Sequence, residues 1–260
     1  MKDDAGGLQD PPDAHRWRSA IPVATMFLTR LPVRAPASAL AGAVIGFPVV
    51  GAVVGGIGGV VYGLVWLTGL PPPICALIGV AAMVVLTGAL HEDGLGDMAD
   101  GLAGGTSAEA IRIMRDSRIG GYGVLALIFS VGLRVTTLAA MAEPLAVLTA
   151  TVATGTASRT AMAGVMRWLP AAANSGLGAG AGRPERVDVY LAIAAAAILV
   201  TVVLGPGMAL ALAGGTTIGA WLVAMLARRR IGGYTGDVLG AAQQAAEIAG
   251  LLAIAAAMQG

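Results

Sequence analysis

Residues 73–101 read PICALIGVAAMVVLTGALHEDGLGDMADG. The first part, 73–90, is apolar over nearly the length of roughly 20 residues that crosses a bilayer. It runs straight into His91, Glu92, Asp93, Asp97 and Asp100. The stretch predicts a membrane-spanning helix that continues into a charged end at the membrane surface. Six further apolar runs flank it, at 41–68, 121–141, 144–166, 188–204, 208–227 and 238–258. The expected fold is therefore all-α, a polytopic membrane helical bundle of about seven transmembrane helices. The first run is rich in glycine and contains Pro48, which predicts a kinked, tilted or broken span.

Composition agrees. The 260 residues are 57% hydrophobic and 12% charged, against about 25% charged in an ordinary soluble domain. So few charges cannot cover a water-facing surface, which excludes a soluble globular enzyme and a disordered chain. The formal net charge of +1, with no basic arm, argues against a nucleic-acid partner. The 39 glycines suit close helix approach in a bilayer. The lone Cys75 permits neither an intramolecular disulfide nor a cysteine zinc site and reads as a buried, inert thiol.

Fourteen of the sixteen Lys and Arg residues lie before the first run or in the links after the second, fourth and sixth. The remaining two, Arg134 and Arg159, fall within runs. This one-sided placement predicts a cytoplasmic N-terminus and an outside C-terminus. The outside links are only 69–72, 142–143 and 205–207, so chemistry is expected on the cytoplasmic face. Residues 1–16 lack the basic start and apolar stretch of a signal peptide and read as a short disordered cytosolic tail. Residues 17–260 read as a single integral membrane domain carrying the chemistry, with 17–31 (Trp17 to Leu31) as an amphipathic segment at the interface.

Asp93, Asp97 and Asp100 are spaced i, i+4, i+7, which puts them on one narrow helical stripe, with Glu92 about 100° away. Like charges so placed repel, and more strongly at a membrane edge. A solvated helix end could carry such charges by chance, but exposed helix ends are not usually this rich in glycine. The pattern predicts a hard cation between the carboxylates: Mg²⁺, Mn²⁺ or Ca²⁺. A second stretch, 112–123, sets Arg112, Arg115 and Arg118 around Asp116, followed by Gly120, Gly121 and Gly123. Arginine forks and a glycine-rich helix start both receive phosphate, although anchoring to lipid headgroups alone would account for the arginines. A third, 228–237, ends in Thr235-Gly-Asp237, with Gln244 on the same face and Glu247 further along. Asp237 and Glu247 need partners at this depth, and Arg134 and Arg159 are the candidates, either as structural ion pairs or as substrate contacts. His91, next to the stripe, fits a base, a phosphate contact or a cap, although a lone histidine more often serves a local hydrogen bond.

Clustered aspartates, arginines and glycine turns fit metal-assisted phosphoryl transfer; there is no P-loop. The chain resembles the cobalamin synthase family, the adenosylcobinamide-GDP ribazoletransferases. The resemblance rests on Phe27-Leu-Thr-Arg-Leu-Pro32, Phe47-Pro48, Leu86 to Gly101, Met114 to Gly123, Ala157-Ser-Arg159 and Gly232 to Asp237, in this order. It implies a Mg²⁺-dependent multi-pass enzyme of the bacterial inner membrane with its site facing the cytoplasm. The substrates would be adenosylcobinamide-GDP and α-ribazole, or its 5′-phosphate. The ribose 3′-hydroxyl would attack the phosphate attached to cobinamide, GMP would leave, and adenosylcobalamin or its 5′-phosphate would form, the last assembly step of vitamin B12.

In that reading Asp93, Asp97 and Asp100 hold the metal, and Asp100 and Asp116 are the catalytic candidates. Arg115, Arg118, Arg159, His91 and Asp237 bind substrate. Position 92 departs from the family pattern in being Glu, which leaves open whether it joins the metal shell. Two rivals fit less well. A CDP-alcohol phosphotransferase would carry an Ala-Arg pair after Asp-Gly, where this chain has Leu95-Gly96. A cation transporter would place acids at mid-membrane in repeated halves. The glycine-rich faces are compatible with a homo-oligomer and equally with packing inside one chain.

Overall fold

The computed structural model describes residues 12–35, 40–172 and 181–259, with the side chains of 12–18 excepted. The expected tail lies outside the described residues except for 12–16, which open the first helix, α1 (Pro12–Leu28). A 3₁₀ segment, Leu40–Gly46, leads into α2 (Phe47–Trp66). Then follow α3 (Pro72–Thr87), α4 (Leu90–Gly101), α5 (Ser107–Met114), α6 (Gly121–Met141) and α7 (Pro144–Trp168). The chain ends with α8 (Arg186–Leu204), α9 (Pro206–Arg230) and α10 (Gly236–Ala257). All seven apolar runs are helical, and the described residues form no strand, only one isolated bridge between Ala171 and Tyr234.

Five helical stretches are long and apolar enough to cross a membrane: Leu40–Trp66, Gly121–Met141, Arg186–Leu204, Pro206–Arg230 and Gly236–Ala257. A sixth span arises only if α3 and α4 are taken together, and these are bent by 89°. The seventh run, α7, is less apolar because Arg159 and a series of Thr and Ser residues interrupt it. It is nevertheless the centre of the bundle, packed against α2, α8, α9 and α10. A helix enclosed by other helices needs no lipid-facing surface. Its threonines satisfy themselves: Thr151, Thr154, Thr156 and Thr160 each donate to the carbonyl four residues back at 2.7–2.9 Å. Outward faces carry Val85, Val202 and Leu210, each more than three-quarters exposed, as a bilayer-facing surface requires.

Pro48 does not kink the first span. It stands in the first turn of α2, where its missing N–H has no helical partner to lose, and the break falls before it, at the change from 3₁₀ to α-helix. Farther along, Gly51 and Gly55 lie against the backbone of α7 at Gly155 and Thr151, so close that a Cβ at either would collide with a carbonyl oxygen. That is the small-residue packing expected when helices associate without a hydrophobic driving force.

The run at 73–101 also differs from expectation. The helix does not continue into the acidic stretch. Gly88 (φ +64°) ends α3 in the left-handed conformation, and Ala89 (φ +58°) repeats it. Two consecutive left-handed residues turn the chain and start α4 across the bundle axis. The stripe therefore lies at one end of the bundle. The α6 and α10 N-termini and the α5–α6 turn meet it there. The opposite end holds the short links and is tied by Tyr62 Oη donating to the Ala142 carbonyl at 2.6 Å. Cys75 is buried near it, as the sequence implied.

Candidate active site at the arginine-rich end of the bundle

The three stripe aspartates occupy a single helix, as their spacing requires, but they are not equivalent. Asp93 is exposed, Asp97 half-buried and Asp100 buried. Asp100 accepts the Gly120 N–H at 2.7 Å and the Gly123 N–H at 2.8 Å. These are donors at the first turn of α6, where a carboxylate also meets the positive end of the helix dipole. A Cβ at Gly120 or Gly123 would strike the Asp100 carboxylate. Asp100 thus pins the start of α6, and the arginine-bearing turn just before it, to α4.

The third motif reaches the stripe from α10. Thr235 Oγ1 caps this helix by accepting the Val238 N–H at 3.3 Å and lies 3.3 Å from Asp237 Oδ2. Tyr234 is fixed to the segment after α7 by its N–H to the Pro170 carbonyl and its hydroxyl to the Gly182 carbonyl. Gly94 and Gly240 then allow α4 and α10 to touch: a Cβ on Gly94 would come within 2.8 Å of the Asp237 carbonyl oxygen. This contact carries Asp237 to the stripe. The electrostatic result appears at Asp97, whose carboxyl is pushed up to about 6, first by burial and then by the charges of Asp93, Asp237 and Asp100. Arg115 is near enough to act on Asp237 from the α5–α6 turn.

Asp116 and Arg118 lie in the same turn. Arg118 binds Asp116 through Nη2 at 2.7 Å, Nε at 3.0 Å and its own N–H at 3.1 Å. That pairing holds the Asp116 carboxyl down at about 2. Asp116 therefore stays ionised and is a weak proton acceptor at neutral pH.

His91, Glu92 and Arg159 lie elsewhere. All three are buried beneath the stripe, in a polar cluster between α4, α6, α7 and α10. Glu92 turns away from the aspartate stripe and accepts Arg134 Nη2 at 2.9 Å and Gln244 Nε2 at 3.1 Å, both on Oε1. Glu247 faces Arg134 at 3.5 Å and Arg159 at 3.8 Å. Ser130 donates to Gln244, which donates to Gln243, which donates to Ser158 and Glu247. Only part of this cluster is visible in the sequence: charges inside apolar runs demand partners, but nothing there says which side chains meet.

Among the described residues no three His, Cys, Asp or Glu side chains converge tightly enough to hold an ion as placed. The donor set nevertheless fits a divalent cation. Asp93, Asp97 and Asp237 are hard oxygen donors, and burial followed by the charges of Asp93, Asp237 and Asp100 raises the Asp97 carboxyl.

A profile of the family described as Cobalamin-5-phosphate synthase matches residues 20–255. The adenosylcobinamide-GDP ribazoletransferase of Bradyrhizobium diazoefficiens is 44% identical over 192 residues, 74% of this chain and 74% of its own. Its namesake in Rhizobium etli (strain CIAT 652) is 39% identical, over 72% of this chain and 75% of its own. That of Rhizobium meliloti is 39% identical, over 70% and 73%. No solved structure matches. A profile spanning nearly the whole chain and relatives of this identity over most of their own length agree: the chain belongs to the Cobalamin-5-phosphate synthase family.

Proposed function

We propose that the chain is a membrane-bound adenosylcobinamide-GDP ribazoletransferase that uses Mg²⁺. The observation that carries the reading is that the Gly94–Gly240 contact brings Asp237 within electrostatic reach of Asp97, beside Asp93, with Arg115 and Arg118 in the turn that Asp100 pins to α4. When bound, the ion neutralises phosphate oxygens and the charge that develops on the departing GMP.

The chain's own residues do the rest. Asp93, Asp97 and Asp237 are the residues that would hold the ion. Arg115 and Arg118 hold phosphate oxygens, and Asp116 keeps the Arg118 fork oriented. The α-ribazole 3′-hydroxyl oxygen bonds to the phosphorus next to cobinamide as the bridging P–O bond breaks. GMP leaves with that bond's electrons. The hydroxyl proton passes to water at this exposed edge of the bundle, because a carboxylate that holds the ion does not also take the proton. α-Ribazole 5′-phosphate reacts in the same way and gives the 5′-phosphate of adenosylcobalamin. The site faces the cytoplasm, where the nucleotide-activated donor is made, and the bacterial inner membrane supplies the bilayer.

Purified protein in lipid, given adenosylcobinamide-GDP and α-ribazole, is expected to release GMP and form adenosylcobalamin with Mg²⁺ but not with EDTA. Folded protein that releases no GMP in either condition would remove the reading.

A further inference from the structure

Glu92 and Asp93 are adjacent in the chain, so their side chains leave α4 about 100° apart. Whatever fixes the direction of one fixes the direction of the other. Glu92 is held from two sides, by Arg134 of α6 at 2.9 Å and by Gln244 of α10 at 3.1 Å. Two further contacts bear on how α4 is held. Gly94 against Gly240 is a smooth contact with no side chain to engage, and Asp100 anchors only the far end of the helix.

The cluster is a poor device for stability alone. Glu92 Oε2, Arg134 Nε and Arg159 Nε are buried without a hydrogen-bond partner among the described residues, and each such group carries a desolvation penalty. Apolar side chains of similar volume would hold four helices together at least as well. What a buried ionic contact adds is a fixed register and rotation. The need for that is quantitative. A carboxylate about 6 Å from the helix axis moves on the order of 2 Å when the helix turns 20°, whereas a working site tolerates only about 0.5 Å.

We propose that Glu92, with Arg134 and Gln244, is a rotational lock on α4 that sets the direction of Asp93 and Asp97 toward Asp237. Glu92 is a positioning residue; it does not bind the ion. The inference rests on the metal-stripe reading above but not on the identity of the substrates.

The test titrates Mn²⁺ into the full chain in lipid nanodiscs, read directly by electron paramagnetic resonance. Hydrogen exchange over residues 90–101 is followed in parallel. The variants are Gln244→Met and the double variant Glu92→Met with Arg134→Met. The double variant removes one charge of each sign and leaves Glu247 facing Arg159, so the cluster stays balanced. It is expected to remain folded, to bind Mn²⁺ about 10–100-fold more weakly, and to exchange faster over 90–101 with α7 unchanged. Gln244→Met removes the α10 bond to Glu92 without changing any charge and is expected to show a smaller loss of the same kind; it decides the matter if the double variant does not fold. A folded variant with wild-type Mn²⁺ affinity and wild-type exchange over α4 overturns the lock. Wild-type protein that binds no Mn²⁺ overturns it together with the metal reading. A wild type that binds Mn²⁺ and shows the lock yet releases no GMP overturns the substrate assignment alone.

Discussion

Glu92 and Asp93 begin two regions that treat charge in opposite ways. Inward from Glu92, two carboxylates and two guanidinium groups, Glu92, Glu247, Arg134 and Arg159, are enclosed together and sum to zero. Outward from Asp93, burial and then the neighbouring carboxylates of α4 and α10 raise Asp97 to about 6. Balanced charge in a protein interior fixes geometry; unbalanced charge at its edge is an invitation to a ligand. The same substitution chemistry, removal of one carboxylate charge, should therefore have opposite consequences in the two places.

The largest expected effect is at the stripe. Asp97→Asn should lower transfer more than about 100-fold, beyond the loss typical of groups that only support a metal ligand. It should leave metal-free thermal stability equal to wild type or higher, because it relieves repulsion. GMP release and thermal unfolding in the same lipid preparation measure both. Near-normal turnover would sink the metal-stripe reading. In the cluster the signature reverses. Glu247→Gln leaves Arg134 and Arg159 with one carboxylate between them and should cost about 3–5 kcal/mol of stability, as breaking a buried pair does. An unfolding temperature equal to wild type would mean that the cluster's charges are solvated.

Asp100 belongs to both regions, since it stands on the stripe but is buried and satisfied. Asp100→Ala should cost about 1–2 kcal/mol, the value of a helix N-terminal cap together with its charge–dipole contribution. Because the arginine turn would loosen with α6, KM for the nucleotide-bearing substrate should rise more than kcat falls. A fall in kcat alone would instead place Asp100 at the reacting atoms.

The sequence made most of this fold legible because hydrophobic period and length are local properties: every apolar run is a helix. What it could not show were properties set by neighbours. The bend after α3 was half visible, in Gly88, but its second left-handed residue is Ala89, which no propensity would choose. Pro48 suggested a kinked, tilted or broken span; the break falls just before it, and Pro48 itself stands in the first turn of a helix. Within the site, the i, i+4, i+7 spacing correctly put three aspartates on one helix. It could not reveal that Asp100 would be drawn away by the α6 N-terminus, or that Glu92 would turn inward. Those outcomes depend on where other helices end, and Gly94 and Gly240, which bring Asp237 across, look in sequence like any of the other glycines.

The smallest expected effect concerns the proton that competes for the stripe. Asp97 titrates near 6 in the folded chain, against 3.8 for the free side chain, with burial as the first cause and neighbouring carboxylates next. Between those values the folded state holds the proton more tightly than the unfolded state. Metal-free stability should therefore fall as pH rises from about 4 to about 6. A bound divalent cation removes that penalty, so Mg²⁺ should stabilise the protein more at pH 7 than at pH 5. Below about 6 the ion must displace the proton, and its affinity should drop by up to about tenfold per pH unit. Mn²⁺ titrations at pH 5, 6 and 7 measure this directly. An affinity that is flat across the three would mean that the ion does not touch Asp97, and the contrast between stripe and cluster would then concern electrostatic strain alone. A drop confined below pH 6, absent in Asp97→Asn, would identify Asp97 as the residue where proton and metal exchange.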